Sequence, residues 1–170
     1  KNEIAEFSKK NTKHVYPPTL NKILNFNRKK FNKYFNIIWV GRLDREKGID
    51  EFIKLIDRID FKANIFILGD GKLKKYYKKL IKQNKNKNIK VYFKGYCHNA
   101  NLYYQKSHLL INTSHYEGSN NSIVEALNHN LLVMATNSPG GNKEIINNTN
   151  GILFDLNDEN KTLIKLNYIK

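Results

Sequence analysis

The sequence predicts the α/β fold class, and two observations carry the prediction. From residue 36 onward, short apolar runs alternate with stretches whose apolar residues recur at helical spacing. Such an alternation is typical of βαβ units, because parallel strands need a crossover connection that is usually a helix. The chain is also long enough for one buried core, with 170 residues of which 40% are hydrophobic. We therefore expect a Rossmann-like, doubly wound parallel sheet.

The strands are predicted from mostly apolar runs that end in Gly, Asn, Ser or Asp. A short apolar run bounded by turn residues is consistent with a buried strand. The predicted strands are 36–41, 63–69, 89–95, 108–114, 131–137 and 151–155.

Between the strands, two longer segments place apolar side chains on one face of a helix. Residues 47–59 do so with isoleucines and a phenylalanine. Residues 73–83 do so with leucine, isoleucine and the neighbouring Tyr76 and Tyr77, which we expect in the core, while the lysines of this segment form a solvated face. Shorter helices are predicted at 99–106, 122–130 and 141–148, and the tail is predicted to be helical.

Residues 1–35 do not take part in this alternation. They contain two of the three prolines, in the stretch VYPPTL, which indicates an extended connector. We expect residues 1–35 to be an interdomain linker with the end of a missing N-terminal domain, and residues 36–170 to form a Rossmann-like domain. Because the chain starts at Lys1 rather than Met, we also expect it to be cut from a longer protein.

The net charge of +15 leaves two interpretations open. Residues 71–116 contain eleven lysines and no Asp or Glu. A composition biased towards Lys and Asn would explain this without any function. The alternative is attraction to an anionic surface, either lipid or nucleic acid.

The cysteine, histidine and acidic patterns exclude several kinds of site. Cys97 is the single cysteine, so an internal disulfide and a multi-cysteine metal site are excluded, and we expect a reducing cytoplasm. The histidines lack H-x-x-x-H spacing and no D-x-D occurs, which argues against a divalent-metal site. No apolar run approaches the ~18 residues of a membrane helix.

Glycines and polar residues follow the predicted strands. In a doubly wound sheet these turns share one edge, where ligands bind. The stretch GDGKLK is not a dinucleotide fingerprint, because Lys74 stands where the third glycine is needed, and no P-loop motif occurs. The turns are Gly41-Arg42, Gly69-Asp70-Gly71, Gly95-Tyr96, residues 114–118 and residues 138–141.

The stretch GRLDREKG places two cations near the start of a predicted helix. A helix N-terminus offers free amides and the positive end of its dipole. Arg42 can add a bidentate fork and Lys47 a second positive charge, a combination that suits a diphosphate. The alternative is that both are solvated loop charges.

The stretch EGSNNSIVE places two carboxylates eight positions apart, Glu117 in a loop and Glu125 in the first turn of a predicted helix. Ionised carboxylates accept hydrogen bonds from sugar hydroxyls, and the free amides after Gly118 can meet an anion. Glu125 has an alternative role, because the stretch from Ser122 to Glu125 fits the capping box S-x-x-E. Glu117 has no comparable structural role, and the alternative for it is ordinary solvation in the loop.

Five motifs occur in the order found in the retaining glycosyltransferases of family 4: WVGRLDREKGID, FILGDGKLK, VYFKGY, SHYEGSNNSIVEAL and SPGGNKEI. The chain resembles that family over about residues 36–155. Its members have the GT-B architecture, in which two Rossmann-like domains face each other and the C-terminal one holds most of the donor. The resemblance implies that residues 36–170 are this nucleotide-sugar-binding half of a GT-B enzyme.

The resemblance also implies roles for the site residues. Arg42 and Lys47 would grip the donor diphosphate, Glu125 would bind the ribose hydroxyls and Glu117 would contact hydroxyls of the transferred sugar. The base would lie beside the turn after the third predicted strand. Glu117, Arg42 and Lys47 are the predicted catalytic residues, and no protein nucleophile is assigned. The predicted donor site is Gly41, Arg42, Lys47, Gly95, Tyr96, Glu117, Gly118, Ser119, Asn120, Asn121 and Glu125.

The implied activity is that of a hexosyltransferase that retains anomeric configuration and needs neither a metal nor a cofactor. The stretch PGGNKEI resembles members that use UDP-sugars, whereas Asn120 and Asn142 depart from the small residues that family members often carry there. We expect transfer to a glycan or glycolipid in surface-polysaccharide biosynthesis. The acceptor would bind the missing N-terminal domain, so this fragment alone would be inactive.

Two other functions stay open. One is a basic nucleic-acid-binding module, in which lysines and tyrosines would hold a strand, although we do not expect nucleic acid as a partner. The other is a GT-B nucleotide-sugar epimerase or a phosphorylase. The lysine-rich surface would also suit peripheral contact with the anionic inner face of the plasma membrane.

Overall fold

The computed structural model describes residues 33–169 and contains a six-stranded sheet in which every pairing is parallel. The predicted fold class and the predicted order of strands and helices are confirmed. The strands are β1 (Phe35–Val40), β2 (Ala63–Leu68), β3 (Ile89–Gly95), β4 (Leu109–Asn112), β5 (Leu132–Thr136) and β6 (Ile152–Phe154). The α-helices are α1 (Ile49–Asp57), α2 (Lys74–Lys82), α3 (Asn101–Lys106), α4 (Asn121–Asn128), α5 (Asn142–Ile145) and α6 (Glu159–Ile169).

The strand order β3-β2-β1-β4-β5-β6 shows that β1, the first strand of the described residues, lies in the middle of the sheet. From β1 the chain runs outward to β3, returns to the middle, and runs outward again from β4 to β6. The direction of winding therefore reverses between β1 and β4, where Ile37 pairs with Leu109. In open α/β sheets, ligands bind at this switch point, beyond the carboxyl ends of the strands.

Hydrophobic side chains fill both faces of the sheet. On one face, Ile37 and Trp39 of β1 pack in a cluster with residues of α1, α2 and α6. On the other face, Ile38 packs in a second cluster with residues of α3 and α4. All three side chains are almost fully buried, as expected for a central strand covered on both faces. The strand ends are therefore held by a rigid core.

One prediction about the core is wrong. Tyr77 of α2 is fully buried and its hydroxyl donates to Asp50 across 3.0 Å, but Tyr76 is 54% exposed. The reason is that α2 has only Tyr77 fully in the core, with Leu80 and Ile81 packed at its margin. The face of α2 that enters the core is therefore narrower than the one that the spacing of its aromatic and aliphatic residues predicts.

The predicted linker and N-terminal domain segment, residues 1–35, lies almost entirely outside the described residues. The boundary at residue 36 stays a prediction. Within residues 33–169, no helix is both long and apolar enough to cross a membrane.

Candidate functional site

The loops after β1 and β4 are joined at the switch point. The first loop contains a short 3₁₀ turn at Arg45–Lys47, and its Lys47 carbonyl accepts a hydrogen bond from the Thr113 hydroxyl at 3.2 Å. The His115 amide donates to the Glu46 carbonyl at 3.0 Å. Between the loops, Gly48 has a φ of +64°, and a Cβ there would collide with the Thr113 carbonyl. Only glycine fits this close backbone approach without strain.

The joined loops bring two of the predicted catalytic residues together. The Lys47 ammonium lies 2.9 Å from one Glu117 carboxylate oxygen, and the Ser114 hydroxyl donates to the same oxygen at 2.6 Å. Glu117 is 8% exposed and Ser114 is buried. A buried carboxylate is stable only when it is paired and hydrogen-bonded, and both conditions are met here.

A chain of buried polar side chains continues behind this ion pair. Asn112 donates to the Ser114 hydroxyl at 3.2 Å, and Asn142 donates to the Asn112 side-chain oxygen at 3.1 Å. The side-chain oxygen of Asn142 accepts from Asn120 at 3.0 Å. All four are at least 95% buried. These bonds connect the end of β4 and the start of α5 with the start of α4, so they hold the loop that contains Glu117 in one position.

The start of α4 differs from the predicted capping box. Asn120 is the N-cap, and its side-chain oxygen accepts from the Ile123 amide at 3.4 Å and from the Ser122 hydroxyl at 2.7 Å. Ser122 is therefore already inside the helix, and the proposed cap by Ser122 and Glu125 is wrong. The local pattern fitted two registers, and asparagine is as good an N-cap as serine. Glu125 instead lies exposed on α4.

A second loop fixes the backbone beside Glu117. Residues Glu117 and Gly140 form an isolated parallel bridge, and the Gly141 amide donates to the Glu117 carbonyl at 2.8 Å. Gly140 has a φ of +101°, and a Cβ there would collide with the Glu117 carbonyl. By contrast, a Cβ on Gly118 would meet no heavy atom within 4 Å. The loop 138–141 therefore extends the β4–β5 pairing past the strand ends and leaves Gly118 open.

Arg42, the third predicted catalytic residue, is not part of this cluster. Its side chain is 68% exposed and pairs with Asp44 at 3.3 Å and with Glu46 at 3.2 Å, both in its own loop. Gly41, just before it, lies against the ring of Trp39. The structure thus places Arg42 on the rim of the site with two carboxylates as its partners.

The remaining predicted donor residues lie around the buried cluster. Gly118, Ser119 and Asn121 are exposed at the start of α4. Gly95 is the last residue of the edge strand β3, and its carbonyl accepts a hydrogen bond from the Gly69 amide at 2.7 Å. The next residue, Tyr96, is 73% exposed. The predicted site is therefore an open surface across several strand ends.

Sequence reasoning missed the polar side chains behind Glu117. Asn112 is the last residue of β4 and Ser114 follows shortly after it, whereas the preceding residues of the strand are all buried and apolar; this switch to polar residues was the available signal. Asn142 was noted as a departure from the family pattern, but its bonds to Asn112 and Asn120 could not be inferred from spacing.

A cavity of about 710 Å³ lies on the α1 side of the strand ends, between α1 and the segment that leads into α6. Of the predicted donor residues, all within the described chain, none lines it. Glu51 and His115 line it and form a 3.3 Å contact, while the second oxygen of Glu51 is buried without a hydrogen-bond partner. Its size alone does not make this cavity the donor site, because the ion pair between Lys47 and Glu117 lies outside it.

The part of the chain that the structure describes contains no group of three or more His, Cys, Asp or Glu side chains able to hold a metal ion. The prediction that the reaction needs no metal stays a prediction.

The strand order makes the chain a doubly wound α/β protein, a class whose ligands bind at the switch point of the sheet. The family model described as glycosyl transferases group 1 matches residues 21–169. The chain belongs to this glycosyltransferase family, and its fold fits the C-terminal domain of a GT-B enzyme.

Two curated relatives illustrate the similarity. An uncharacterized glycosyltransferase of Methanocaldococcus jannaschii is 34% identical over 119 residues, which cover 68% of this chain and 29% of the relative. The N-acetylgalactosamine-N,N'-diacetylbacillosaminyl-diphospho-undecaprenol 4-alpha-N-acetylgalactosaminyltransferase of Campylobacter jejuni is 31% identical over 125 residues, which cover 73% of this chain and 34% of the relative. The chain thus spans about a third of the length of these relatives.

Two solved structures share the fold. A lipopolysaccharide outer core galactosyltransferase in its apo form aligns with a TM-score of 0.72 and 19% identity, covering 91% of this chain and 44% of that one. An Anabaena protein in complex with UDP-glucose aligns with a TM-score of 0.68 and 20% identity, covering 79% of this chain and 38% of that one. At these identities the likeness concerns the fold.

Proposed function

We propose that this chain is the donor-binding domain of a retaining, metal-independent hexosyltransferase that uses a nucleoside-diphosphate sugar, with UDP favoured. The observation that carries the proposal is the 2.9 Å contact between Lys47 and Glu117 at the switch point. A cation suited to a diphosphate lies beside a carboxylate suited to sugar hydroxyls. A ligand in which a sugar is joined directly to a diphosphate fits this pair.

The diphosphate would bind between Lys47 and the first turn of α4. This eight-residue helix begins beside Gly118 and Ser119 and presents the positive end of its dipole to the loop. Arg42 would also bind the diphosphate, after its ion pairs with Asp44 and Glu46 have broken. Breaking them costs little free energy, because both pairs are exposed to solvent. The ribose would lie along α4 near Glu125, and the base towards Gly95 and Tyr96.

Catalysis by this domain would be electrostatic. Negative charge develops on the diphosphate as the bond to the sugar breaks, and fixed cations stabilise that charge. Lys47 is the best placed, because its position is set by the hydrogen bond at its carbonyl and by the pairing with Glu117. Once the phosphate competes for Lys47, Glu117 becomes available to sugar hydroxyls.

The acceptor is proposed from the relatives. The Campylobacter jejuni relative is named for transfer to a sugar on diphospho-undecaprenol, a lipid carrier. We infer a glycan or glycolipid acceptor, held mainly by a second domain, and a role in surface-polysaccharide biosynthesis. On this proposal the chain alone binds donor and transfers little or nothing.

Thermal unfolding with UDP, GDP, ADP and CMP, each with and without EDTA, tests the donor site. A ligand at about 100 times its dissociation constant stabilises by roughly 2.7 kcal/mol, which at roughly 2–4 °C per kcal/mol shifts the melting temperature by about 5–11 °C. We expect UDP to give this shift in the presence of EDTA. Arg42→Ala and Glu125→Ala should each reduce it.

Arg45→Ala is the matched control, since Arg45 is exposed in the same loop as Arg42. An equal loss in Arg45→Ala would mean that general positive charge, and not the proposed site, attracts the nucleotide. No shift with any nucleotide would overturn the proposal for this chain. A shift abolished by EDTA would overturn its metal-independent part.

We also propose that the flank formed by α2 and β3 contacts an anionic membrane surface. Both sides of this sheet edge are basic and aromatic: α2 presents exposed lysines and Tyr76, while on the opposite face of β3 the Lys94 ammonium lies 5.3 Å from the ring centroid of the exposed Tyr92. Lysines near an anionic leaflet contribute about 1 kcal/mol each. The exposed lysines of this flank are Lys72, Lys75, Lys78, Lys79, Lys82, Lys85, Lys87, Lys90 and Lys94.

Sedimentation with vesicles of increasing phosphatidylserine content tests the membrane proposal. Binding should rise with anionic lipid and fall when Lys78, Lys79 and Lys82 are changed to Gln. Changing Lys54 and Lys143, which are exposed elsewhere, should have no such effect. Vesicle binding that ignores lipid charge contradicts the proposal, and tight binding of single-stranded RNA with no vesicle binding favours a nucleic-acid partner instead.

A further inference from the structure

Ser114 is buried between the chain of amide side chains and the Glu117 carboxylate. Its hydroxyl oxygen lies 2.6 Å from Glu117 Oε1, and the residue is 1% exposed. On its other side, the side-chain nitrogen of Asn112 lies 3.2 Å from the same hydroxyl oxygen. A serine hydroxyl has one proton and can also accept, so the direction of these two bonds decides what Ser114 does for Glu117.

Backbone groups fix the direction of the bond to Asn112. The Ser114 backbone amide can only donate, and it donates to the Asn112 side-chain oxygen at 3.3 Å. The same oxygen accepts from the side-chain nitrogen of Asn142 at 3.1 Å. Asn142 is oriented in turn, because its nitrogen also donates to the Thr136 backbone carbonyl, which can only accept. The NH₂ group of Asn112 therefore faces Ser114 and donates to its hydroxyl oxygen.

The single proton of the Ser114 hydroxyl is thereby left for Glu117. Hydrogen bonds that point the same way along a chain polarise one another, and a bond to a carboxylate is about twice as strong as a neutral one. The Lys47 ammonium lies 2.9 Å from the same oxygen, Oε1, so two donors hold one side of the carboxylate. If a diphosphate draws Lys47 away, Ser114 is the donor that stays.

The second oxygen of Glu117, Oε2, lies open to a ligand. Among the described residues, the hydrogen bonds of this carboxylate are made at Oε1. The one buried side-chain atom without a partner in residues 33–169 is an oxygen of Glu51, so Glu117 Oε2 is accessible to solvent. Beside it, a Cβ on Gly118 would meet no heavy atom within 4 Å. Oε2 is therefore the atom of this carboxylate that a sugar hydroxyl can approach.

We propose that Ser114 is a positioning residue that holds Glu117 by Oε1, so that Oε2 is presented to hydroxyls of the transferred sugar. Fixing an acceptor before the ligand arrives reduces the entropy that is lost on binding. This inference rests on the proposed function, in which Glu117 contacts the sugar. It deepens that function by giving the two carboxylate oxygens different roles and by making recognition of the sugar, and not of the nucleotide, depend on a buried serine.

The test compares ligands with and without sugar hydroxyls. Isothermal titration calorimetry is run on the chain with UDP-glucose, UDP-galactose and their N-acetylated counterparts, and with the cyclohexyl ester of UDP, which keeps the six-membered ring and the charge. The unmodified chain should prefer its tightest UDP-sugar over the cyclohexyl ester by about tenfold or more, the effect of one good hydrogen bond to a charged group. Ser114→Ala should reduce this preference to about threefold, while the affinity for the cyclohexyl ester stays unchanged.

Ser107→Ala is the matched control, because Ser107 is also a fully buried serine and lies before β4, at the end of the strand away from Glu117. It should keep the full preference. Ser114→Cys fills nearly the same space with a weaker donor, so it should also reduce the preference, and it gives the answer if Ser114→Ala does not fold. Equal weakening of all ligands would indicate a purely structural role of Ser114 and overturn the inference. So would an unchanged preference in the Ser114 variants.

The same data separate this inference from the proposed function. If the unmodified chain binds the UDP-sugars and the cyclohexyl ester equally, Glu117 does not contact the sugar hydroxyls, and that assignment fails before Ser114 is considered. If the unmodified chain and Ser114→Ala show the same preference, the donor site stands and only the role of Ser114 fails. If none of the ligands binds, both the proposed function and this inference are overturned.

Discussion

The centre of the sheet's carboxyl edge and its β3–α2 flank use charge in opposite ways. At the centre, Lys47 and Glu117 form one ion pair whose side chains are 24% and 9% exposed, supported by a chain of buried polar groups. On the flank, Lys74 and Asp70 form a 2.6 Å pair whose side chains are 30% and 52% exposed. The flank has many more charges, but each is in contact with water.

This difference shows that net charge is a poor guide to the position of the proposed donor site in this molecule. Screening by water and salt makes exposed pairs weak, whereas a buried carboxylate needs hydrogen-bonding partners in place of the water that it has lost. The informative residues are the few polar groups that the core holds in place. Three substitutions test whether the centre is as strongly constrained as this comparison implies.

The largest effect is expected for Gly140→Ala. The residue has a φ of +101°, and an added Cβ would collide with the Glu117 carbonyl, so either the loop 138–141 or Glu117 must move. A conformation that disfavours alanine costs about 1–3 kcal/mol and the collision adds to it, so we expect more than about 3 kcal/mol of lost stability. At roughly 2–4 °C per kcal/mol, the melting temperature should fall by at least about 6 °C.

Gly118→Ala is the control, since the space around that position is empty and its φ is not positive. Its stability should stay within about 0.5 kcal/mol of the unmodified chain. Equal melting temperatures for the two variants would show that the loop 138–141 does not hold Glu117.

An intermediate effect is expected for Asn142→Ala. The side chain donates to Asn112 and accepts from Asn120, and its removal leaves the buried Asn120 amide without that partner. A buried polar group that loses its partner costs about 1–3 kcal/mol, and thermal unfolding should report a loss near 2 kcal/mol. Asn148→Ala, at an exposed position of the next loop, should leave the melting temperature unchanged. Similar melting temperatures for both variants would mean that the hydrogen bonds among the buried polar side chains do not contribute to the stability of the fold.

The sequence was sufficient to predict the fold because each strand and helix is locally consistent. Each apolar run lies between turn residues, and in a segment such as 47–59 the apolar residues fall on one helical face, so pattern and topology agree. The convergence of the strand ends followed from the parallel sheet. The pairing of Lys47 with Glu117, 70 positions apart, needed the loop contacts that only the structure provides.

The two wrong predictions, the capping box at Ser122 and the burial of Tyr76, also depended on contacts between distant parts of the sequence. The helix that contains Ser122 could begin at that residue or earlier, and the choice was made by Asn142, which bonds to Asn120 from 22 positions away. Tyr76 has the same chemistry as Tyr77, and only the position of α2 at the margin of the sheet decides which ring is buried. Local periodicity contains no information about such long-range choices.

The smallest effect, and the most direct comparison, comes from changing one lysine in each region. Lys47→Met leaves Glu117 with the Ser114 hydroxyl as its remaining side-chain partner, and we expect a loss of about 1 kcal/mol, since the lysine is already partly solvated. Lys74→Met removes a more exposed contact and should lower the melting temperature at neutral pH by less than Lys47→Met does. Equal losses in the two variants would contradict the contrast between centre and flank.

Lys74→Met should still change the pKa of Asp70. The hydrogen bond from Lys74, followed by that from the Gly71 amide, lowers the pKa of Asp70. A lowered carboxyl pKa contributes stability above the usual range of an aspartate and loses it as the pH falls. Lys74→Met should therefore raise the pKa of Asp70 towards its ordinary value, measured by NMR of its carboxyl carbon, and by the same linkage should lower the stability slightly near pH 7. If the pKa of Asp70 does not move, the 2.6 Å contact does not persist in solution, and the flank is even less ordered by charge than the comparison assumes.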